Sequence, residues 1–466
     1  MSKSFEIAIL GGGPGGYVAA IRAAQLGYKT VIIEKDKLGG VCLNWGCIPT
    51  KSLLKSAELL EEIKHSKDYG LEVENVSFDF KKVIMRSRDI SGRISKNVEF
   101  LMKKNKIEVI KGFGKLSGNN KIDVLDDNGK IIDSIETEKI IISTGARSRT
   151  IPQIPVDRKK VITSTEAMNL SEQPNEMVIV GAGAIGVEFA YFYNALGTKV
   201  TLIEMMDNIL PIEDKEVSET LEKILKKKGI VIHTKATVDN VKAADDKVEV
   251  NVTINGESKI ISSDIVLNAI GIVGNVEGFG LEELGVELYK NHIKVDKHSY
   301  QTNIKNIYAI GDVIGPPWLA HVASAEGIHC VETLNGLNPS EVDYTTIPGC
   351  TYCQPQVASV GLTEQRAKEE GYEIKVGKFP FTASGKAFAT GERDGFVKVI
   401  FDAKYGELLG AHVIGANATE LIAEFTLAKS MEATFESIIK TVHAHPTLSE
   451  SVMEAVANAY NEAIHI

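Results

Sequence analysis

One pattern occurs twice in this chain, and few folds accommodate it. Residues 7–10 form a short apolar run that meets Gly11-Gly12-Gly13-Pro14-Gly15-Gly16. A helical pattern to Leu26 follows, then a second apolar run, residues 30–33, ending at Glu34. Residues 177–180 lead in the same way into Gly181-Ala182-Gly183-Ala184-Ile185-Gly186, a helical pattern to Leu196, and a run over 200–203 ending at Glu204. The first glycines, Gly11 and Gly181, stand 170 residues apart, and in each copy the acid follows the third glycine by 18 residues. A strand that turns through glycines into a helix lets backbone approach a pyrophosphate closely. The helix N-terminus adds free amides and the positive end of its dipole. An acid at that distance accepts hydrogen bonds from ribose hydroxyls. One glycine fingerprint is a weak signal, but two in full context imply two dinucleotide sites: Gly11, Gly13, Gly16 and Glu34 in one, Gly181, Gly183, Gly186 and Glu204 in the other. Glu204 favours NAD, because an acid repels the extra phosphate of NADP and Met205-Met206-Asp207 supplies no arginine to receive it.

The repeat continues downstream. Asn128-Gly129 and Asn255-Gly256 each lie between alternating segments, a strong hairpin signal. Each hairpin precedes an apolar strand ending in glycine, residues 140–145 and 265–271. The first copy carries an insertion from Gly39 to about Lys106, with helical patterns over 51–64 and 87–104 and a cysteine pair. An insertion with its own reactive residues is usually functional. Beyond Gly271 a strand over 307–310 ends at Gly311-Asp312. Strands are expected over 356–362, 377–381, 395–401 and 408–414, and helices over 419–431 and 447–463. The order implies an α/β chain: two Rossmann-like dinucleotide-binding domains plus a C-terminal α+β domain from about residue 345.

Composition narrows the function classes. No apolar run reaches the ~18–20 residues needed to span a bilayer. A net charge of −10 leaves no electrostatic footprint for nucleic acid. The chain opens at Met1, and its first apolar stretch, residues 5–10, stops at glycines rather than at a cleavage site, so no secretory leader is expected. Five cysteines in 466 residues fit a reducing, cytoplasmic setting, where a close pair is catalytic or metal-binding more often than structural.

That pair lies in Gly39-Gly40-Val41-Cys42-Leu43-Asn44-Trp45-Gly46-Cys47-Ile48-Pro49-Thr50-Lys51. Five positions on a regular helix is a wide spacing for a disulfide, but the glycines and Pro49 permit distortion, and a thiolate near a helix N-terminus is the reactive form. No second ligand pair at zinc spacing lies nearby, and a buried thiol pair is the bland alternative. Near the C-terminus stands His443-Ala444-His445-Pro446-Thr447-Leu448-Ser449-Glu450. His445 could take a proton from a thiol with Glu450 fixing its tautomer. Thr447–Glu450 is equally a capping box, and two histidines could serve a metal. Lys51 could be a solvated lysine, and Glu188 could simply favour a helix dipole. Cys350-x-x-Cys353 lacks a surrounding βαβ pattern and reads as incidental; Cys330 reads as core.

Together these residues resemble the pyridine nucleotide-disulfide oxidoreductase family over essentially the whole chain. The resemblance implies FAD and NAD as cofactors and no metal. It makes Cys42 and Cys47 the redox disulfide. Residues 302–312 resemble the second flavin motif, in which Asp312 meets the ribityl chain, and Ser143-Thr144-Gly145 the motif joining the flavin and NAD domains. Lys51 and Gly114 join the FAD set, Glu188 and Gly271 the NAD set, and Lys51 with Glu188 match an ion pair beside the flavin N5. The implied domains are FAD-binding at 1–150, completed by 274–344, NAD-binding at 151–273, and dimerisation at 345–466. His443–Glu450 resembles the segment carrying the active-site base, with His445 as base and Glu450 as its partner, supplied across an obligate homodimer. Cys-Leu-Asn at the start of the pair and Ile-Pro after Cys47 are similar to the branch that oxidises dihydrolipoamide with NAD. That branch docks on the dihydrolipoyl acyltransferase (E2) core of 2-oxoacid dehydrogenase complexes, with the glycine-cleavage H protein a second candidate partner. The alternative is an NADH-dependent reductase of another disulfide or of a metal ion. Two departures stand out: Trp45 replaces a commoner valine, and Gly271-Ile272-Val273-Gly274-Asn275 replaces Gly-Arg-x-Pro-Asn.

Overall fold

A computed structural model describes residues 3–243 and 246–466; Met1 lies outside them. The first glycine motif sits in a parallel sheet whose strands run Glu108–Lys111, Thr30–Glu34, Lys3–Leu10, Ile131–Ile142 and Ile307–Ala309 in spatial order. Ile7 and Ile9 pack with the helix Pro14–Gln25 on one face, while Ala8 and Leu10 enter a separate core on the other. Burial on both faces explains why these strands read as continuous apolar runs rather than alternating ones. The second glycine motif sits in an equivalent parallel sheet, Val231–His233, Lys199–Ile203, Glu176–Val180, Ile265–Asn268 and Val161–Ile162. The strands Glu108–Lys111 and Val231–His233 escape the sequence reading because they are short and half polar, and only their neighbours make them strands.

Both Asn-Gly turns form hairpins, Lys121–Leu125 with Ile131–Ile142 and Val248–Ile254 with Glu257–Ser263. The two copies then diverge. In the first, one strand of 12 residues, Ile131–Ile142, belongs to both the hairpin and the parallel sheet. In the second, the chain breaks at Asp264, whose Oδ2 accepts from the Asn175 and Glu176 amides at 2.8 and 3.0 Å, and a new strand starts at Ile265. The two crossings between these units are zipped together, Ala146–Ser148 pairing antiparallel with Ile272–Gly274.

The C-terminal part is an antiparallel sheet ordered Gly349–Thr351, Gln356–Gly361, Leu408–Gly415, Phe396–Asp402, Ile374–Pro380. Ile422 and Phe425 of the helix Ala418–Ser430, and Val452 and Val456 of the helix Glu450–Ala459, share a core with Val397, Val399, Ala411 and Val413 of the sheet. The last helix is shorter than the expected 447–463, because Thr447–Ser449 serve as its entry turn. The helix expected from 87 begins instead at Phe80, where Asp79 caps it by accepting from the Lys82 amide at 3.1 Å. This unit is docked on the second nucleotide-binding unit through Lys398. Its side chain is 2% exposed and its Nζ reaches Asp214, Glu216 and Glu364 at 3.0, 2.9 and 2.7 Å. Among the described residues no helix is long and apolar enough to cross a membrane.

Candidate active site

Cys42 and Cys47 are joined in a disulfide with their Cα atoms 4.7 Å apart. The spacing that looked too wide for a helix is accommodated by a break. Cys42 lies in the helix Gly40–Trp45, the chain kinks at Gly46, and Cys47 is the first residue of the helix Cys47–Lys64. A side chain at 46 would meet the Val41 carbonyl at 3.1 Å, so glycine is what lets the two helices abut. Pro49 fits in the first turn, where its missing N–H leaves nothing unpaired. A thiolate released at Cys47 would sit on the positive end of an 18-residue helix.

A third helix holds this turn rigid. Ser91 and Ser95 of Phe80–Lys104 donate to the Leu43 and Leu38 carbonyls at 2.6 and 2.8 Å, and Arg88 donates to the carbonyl of Asn44. The buried Asn44 amide closes the loop by donating to Leu38 and Gly40 at 3.1 and 3.0 Å. Trp45 now has a reason: the Arg88 guanidinium lies over its ring at 4.2 Å. None of Asn44, Arg88, Ser91 or Ser95 announces itself in sequence, since each acts through a main-chain partner that folding alone brings near.

Lys51, one turn into the same helix, meets Glu188 from the helix Ala184–Ala195, with Nζ 2.9 and 3.0 Å from its two oxygens. The pair joins the two glycine-motif units. Glu188 is buried and its Oε1 also accepts from the Tyr352 amide at 3.0 Å. His445 and Glu450 also meet. The ring Nδ1 is 2.8 Å from Oε1, while Oε2 accepts from the Thr447 amide at 2.8 Å. The two readings of Glu450 are therefore both realised, one oxygen for the histidine and one for the helix entry. Burial raises the Glu450 carboxyl, but the Thr447 amide and His445 outweigh it and hold it below the usual range. The His445 side chain is 78% exposed on this chain, and its ring bonds to Glu450 rather than to either redox cysteine. Neighbouring His443 is clipped to Glu424 at 2.7 Å.

The two glycine loops match each other in detail. Glu34 Oε2 accepts from the Gly12 amide at 2.7 Å, and Glu204 Oε2 from the Ala182 amide at 2.7 Å. A Cβ at Gly16 would strike the Gly11 carbonyl and the Ser143 hydroxyl, and one at Gly186 would strike the Gly181 carbonyl, whereas the space around Gly183 is open. Neither following helix carries a side-chain cap at its N-terminus. Two glycine cradles ending at uncapped helix starts fit two pyrophosphates. Asp312 opens beside them in the short helix Gly311–Ile314, and burial pushes its carboxyl up to about 6. Ser143 donates to Gly11 at 2.8 Å, tying the linking motif to the first glycine. Gly114 is a packing glycine here, its Cβ position filled by Leu10 and Ile33. Gly145 and Gly271 take φ of +70° and +116° at the two crossings. The departure at 271–275 is absorbed by Asn275, which donates to the Thr144 carbonyl at 2.9 Å and accepts the Thr144 hydroxyl on its own carbonyl at 2.8 Å. Cys330 and Cys353 are buried free thiols and Cys350 is a partly buried one; burial raises all three, Cys350 to about 11.

Known proteins share this arrangement. The family model described as pyridine nucleotide-disulphide oxidoreductase matches residues 5–327, and the dimerisation domain of the same family matches 347–456. A dihydrolipoyl dehydrogenase of Rhizobium etli is 48% identical over 481 residues, covering 100% of both chains. One of Bacillus subtilis is 46% identical over 474 residues, again with 100% of both covered. Among solved structures, LpdA of Mycobacterium tuberculosis superposes with a TM-score of 0.90 at 27% identity, covering 97% of this chain and 99% of that one. The HOCl-induced flavoprotein disulfide reductase RclA of Escherichia coli, as its Cu(II) complex, gives 0.88 at 27% identity, with 98% and 99% covered. With a cysteine pair bonded at a helix start between two nucleotide cradles, and with matches that run the length of the molecule, the chain belongs to the pyridine nucleotide-disulphide oxidoreductase family.

Proposed function

We propose that the protein is a dihydrolipoyl dehydrogenase, oxidising dihydrolipoamide to lipoamide with NAD. The observation that carries this is full-length similarity to dihydrolipoyl dehydrogenases at nearly half of all positions, together with a formed Cys42–Cys47 disulfide. The rival reading, an NADH-dependent reductase of another disulfide or a metal ion, has the weaker support of a 27% identical neighbour.

In this reading residues 1–150 and 274–344 bind FAD, 151–273 bind NAD, and 345–466 form the dimer. FAD and NAD supply two-electron acceptance from the dithiol and its onward passage as hydride. Gly11, Gly13, Gly16, Glu34, Gly114, Ser143, Thr144, Gly145, Lys51 and Asp312 serve the flavin; Gly181, Gly183, Gly186, Glu188, Glu204 and Gly271 serve NAD. His445 of the partner subunit takes a proton from one substrate thiol. The resulting thiolate attacks Cys42 Sγ, and the bond to Cys47 breaks. Cys47 leaves as a thiolate, steadied by the start of its helix. The second substrate thiol then attacks the mixed disulfide at the substrate's own sulfur, releasing lipoamide and leaving Cys42 reduced. Partners follow from the substrate: a second copy of this chain, and the dihydrolipoyl acyltransferase core or the glycine-cleavage H protein that would carry the lipoyl group. Three free cysteines beside one redox pair support a reducing cytoplasm as its setting.

The test is anaerobic titration of the flavin-loaded enzyme with dihydrolipoamide, followed by NAD. The expected result is a long-wavelength thiolate–flavin absorption band that disappears as NADH forms. Flavin that ignores dihydrolipoamide but responds to NADH would retain the family and discard the substrate.

A further inference from the structure

The Lys51–Glu188 pair joins the first two units, and a third unit reaches it. Tyr352 follows the edge strand Gly349–Thr351 of the antiparallel sheet. Its amide donates to Glu188 Oε1 at 3.0 Å, and its ring lies under the Lys51 ammonium, 4.2 Å from Nζ to the centroid. The phenol hydroxyl turns the other way, to the Cys350 side chain. Lys51 thus has two directional partners, the Glu188 carboxylate and the negative face of an aromatic ring, and they restrain it from different sides. A lysine head on a four-carbon stem is otherwise mobile, and its side chain here is 33% exposed. Both contacts from residue 352 converge on one ion pair, one through the main chain and one through the ring.

We propose that Tyr352 is a positioning residue for the redox reaction: its ring holds the Lys51 ammonium in place, so that the dimerisation unit helps set the charge beside the flavin. The inference rests on the reading of Lys51 and Glu188 as the pair next to the flavin, and it deepens that reading. It separates two functions within one residue. The main-chain bond to Glu188 survives any substitution, the ring contact needs an aromatic side chain, and the hydroxyl is dispensable for holding Lys51.

Tyr352→Phe and Tyr352→Leu in the flavin-loaded enzyme test this, with NADH-to-flavin transfer followed by stopped flow and the thiolate–flavin band recorded after two-electron reduction. A lysine–aromatic contact of this kind corresponds to a loss of roughly three- to tenfold in Tyr352→Leu. Its absorption band should also shift or weaken, at unchanged flavin content and melting temperature. Tyr352→Phe should stay within about twofold of wild type, since its ring face remains. A Leu variant with the wild-type band and rate overturns the proposal, and so does a Phe variant as impaired as Leu. If Tyr352→Leu does not fold, fluorinated phenylalanines placed at 352 decide the matter. Rate and band must move progressively as the ring loses electron density, and a flat series overturns the ring's role. The wild-type reaction with dihydrolipoamide is run alongside. Its failure would discard the substrate while leaving the NADH comparison intact.

Discussion

Replacing Lys398 by methionine removes the cation that joins the C-terminal sheet to the second nucleotide unit. The side chain lengths match, so the change is mainly one of charge. Glu216 would keep Lys378 at 3.1 Å and Glu364 would keep Lys368 at 2.6 Å. Asp214 is different, with its side chain 3% exposed. It would retain only main-chain donors, the Glu216 amide at 3.0 Å and the Glu364 amide at 3.3 Å. Leaving one partner of a buried pair uncompensated costs about 3–5 kcal/mol, and these two amides place Lys398→Met near the lower figure. At about 2–4 °C per kcal/mol for a unit of this size, the melting temperature should fall by roughly 6–12 °C. Burial works against the charge on Lys398, yet Glu364, Glu216 and Asp214 together raise its pKa above 10.5. Its contribution is therefore fully present below 10.5 and is lost only as pH rises through the higher folded value. Glu364 is held below 4.5, chiefly by Lys368 and Lys398, so its share is present above 4.5 and fades as pH falls through its lower folded value. The wild-type advantage should accordingly be flat across neutral pH and shrink in acid. Differential scanning calorimetry at pH 7.5 and pH 4 measures it, and Asp214→Asn in the Lys398→Met background should recover part of the loss. A single variant melting within 2 °C of wild type at pH 7.5 would refute the reasoning.

Three further outcomes are expected. His445→Gln should slow reduction by dihydrolipoamide by about 10²–10⁴-fold, the range for a general base, while flavin reduction by NADH is spared; equal loss in both half-reactions in stopped flow would remove His445 from the base role. Glu204→Ser combined with Met205→Arg should shift the kcat/KM ratio of NADPH to NADH by at least about tenfold toward NADPH, since the acid that repels the phosphate is gone and a cation replaces it; an unchanged ratio would mean that Glu204 does not face the ribose. In protein stripped of flavin, Asp312 carries a carboxyl raised by burial from 3.8 to about 6, so stability is full below 3.8 and falls as pH rises to about 6. Asp312→Asn should therefore raise the melting temperature of the flavin-free protein at pH 7.5, by about 2–3 kcal/mol of stability, and leave it unchanged at pH 3.5; an equal effect at both would show that ionisation is not the cause.

Local chemistry accounts for what was legible in the sequence. Gly11–Gly16 and Gly181–Gly186 had to be glycine-rich because strand, turn and helix come too close for a Cβ, and that demand acts over a few residues. Paired with Glu34 and Glu204, it specified two parallel nucleotide-binding sheets. The Asn-Gly hairpins and the order of strands before helices at the C-terminus were visible for the same reason. Tertiary structure decided the rest. Whether Cys42 and Cys47 could bond depended on a break at Gly46, and the turn's rigidity on Ser91, Ser95 and Arg88, more than 40 residues away. Glu188 looked like a helix-dipole residue until Lys51 and the Tyr352 amide arrived from two other units. Glu450 offered a cap and a histidine partner as alternatives, and the fold used one oxygen for each. Short-range demands on backbone geometry are written in consecutive residues, whereas the partner of a charge or a carbonyl is chosen by whichever distant element packs against it.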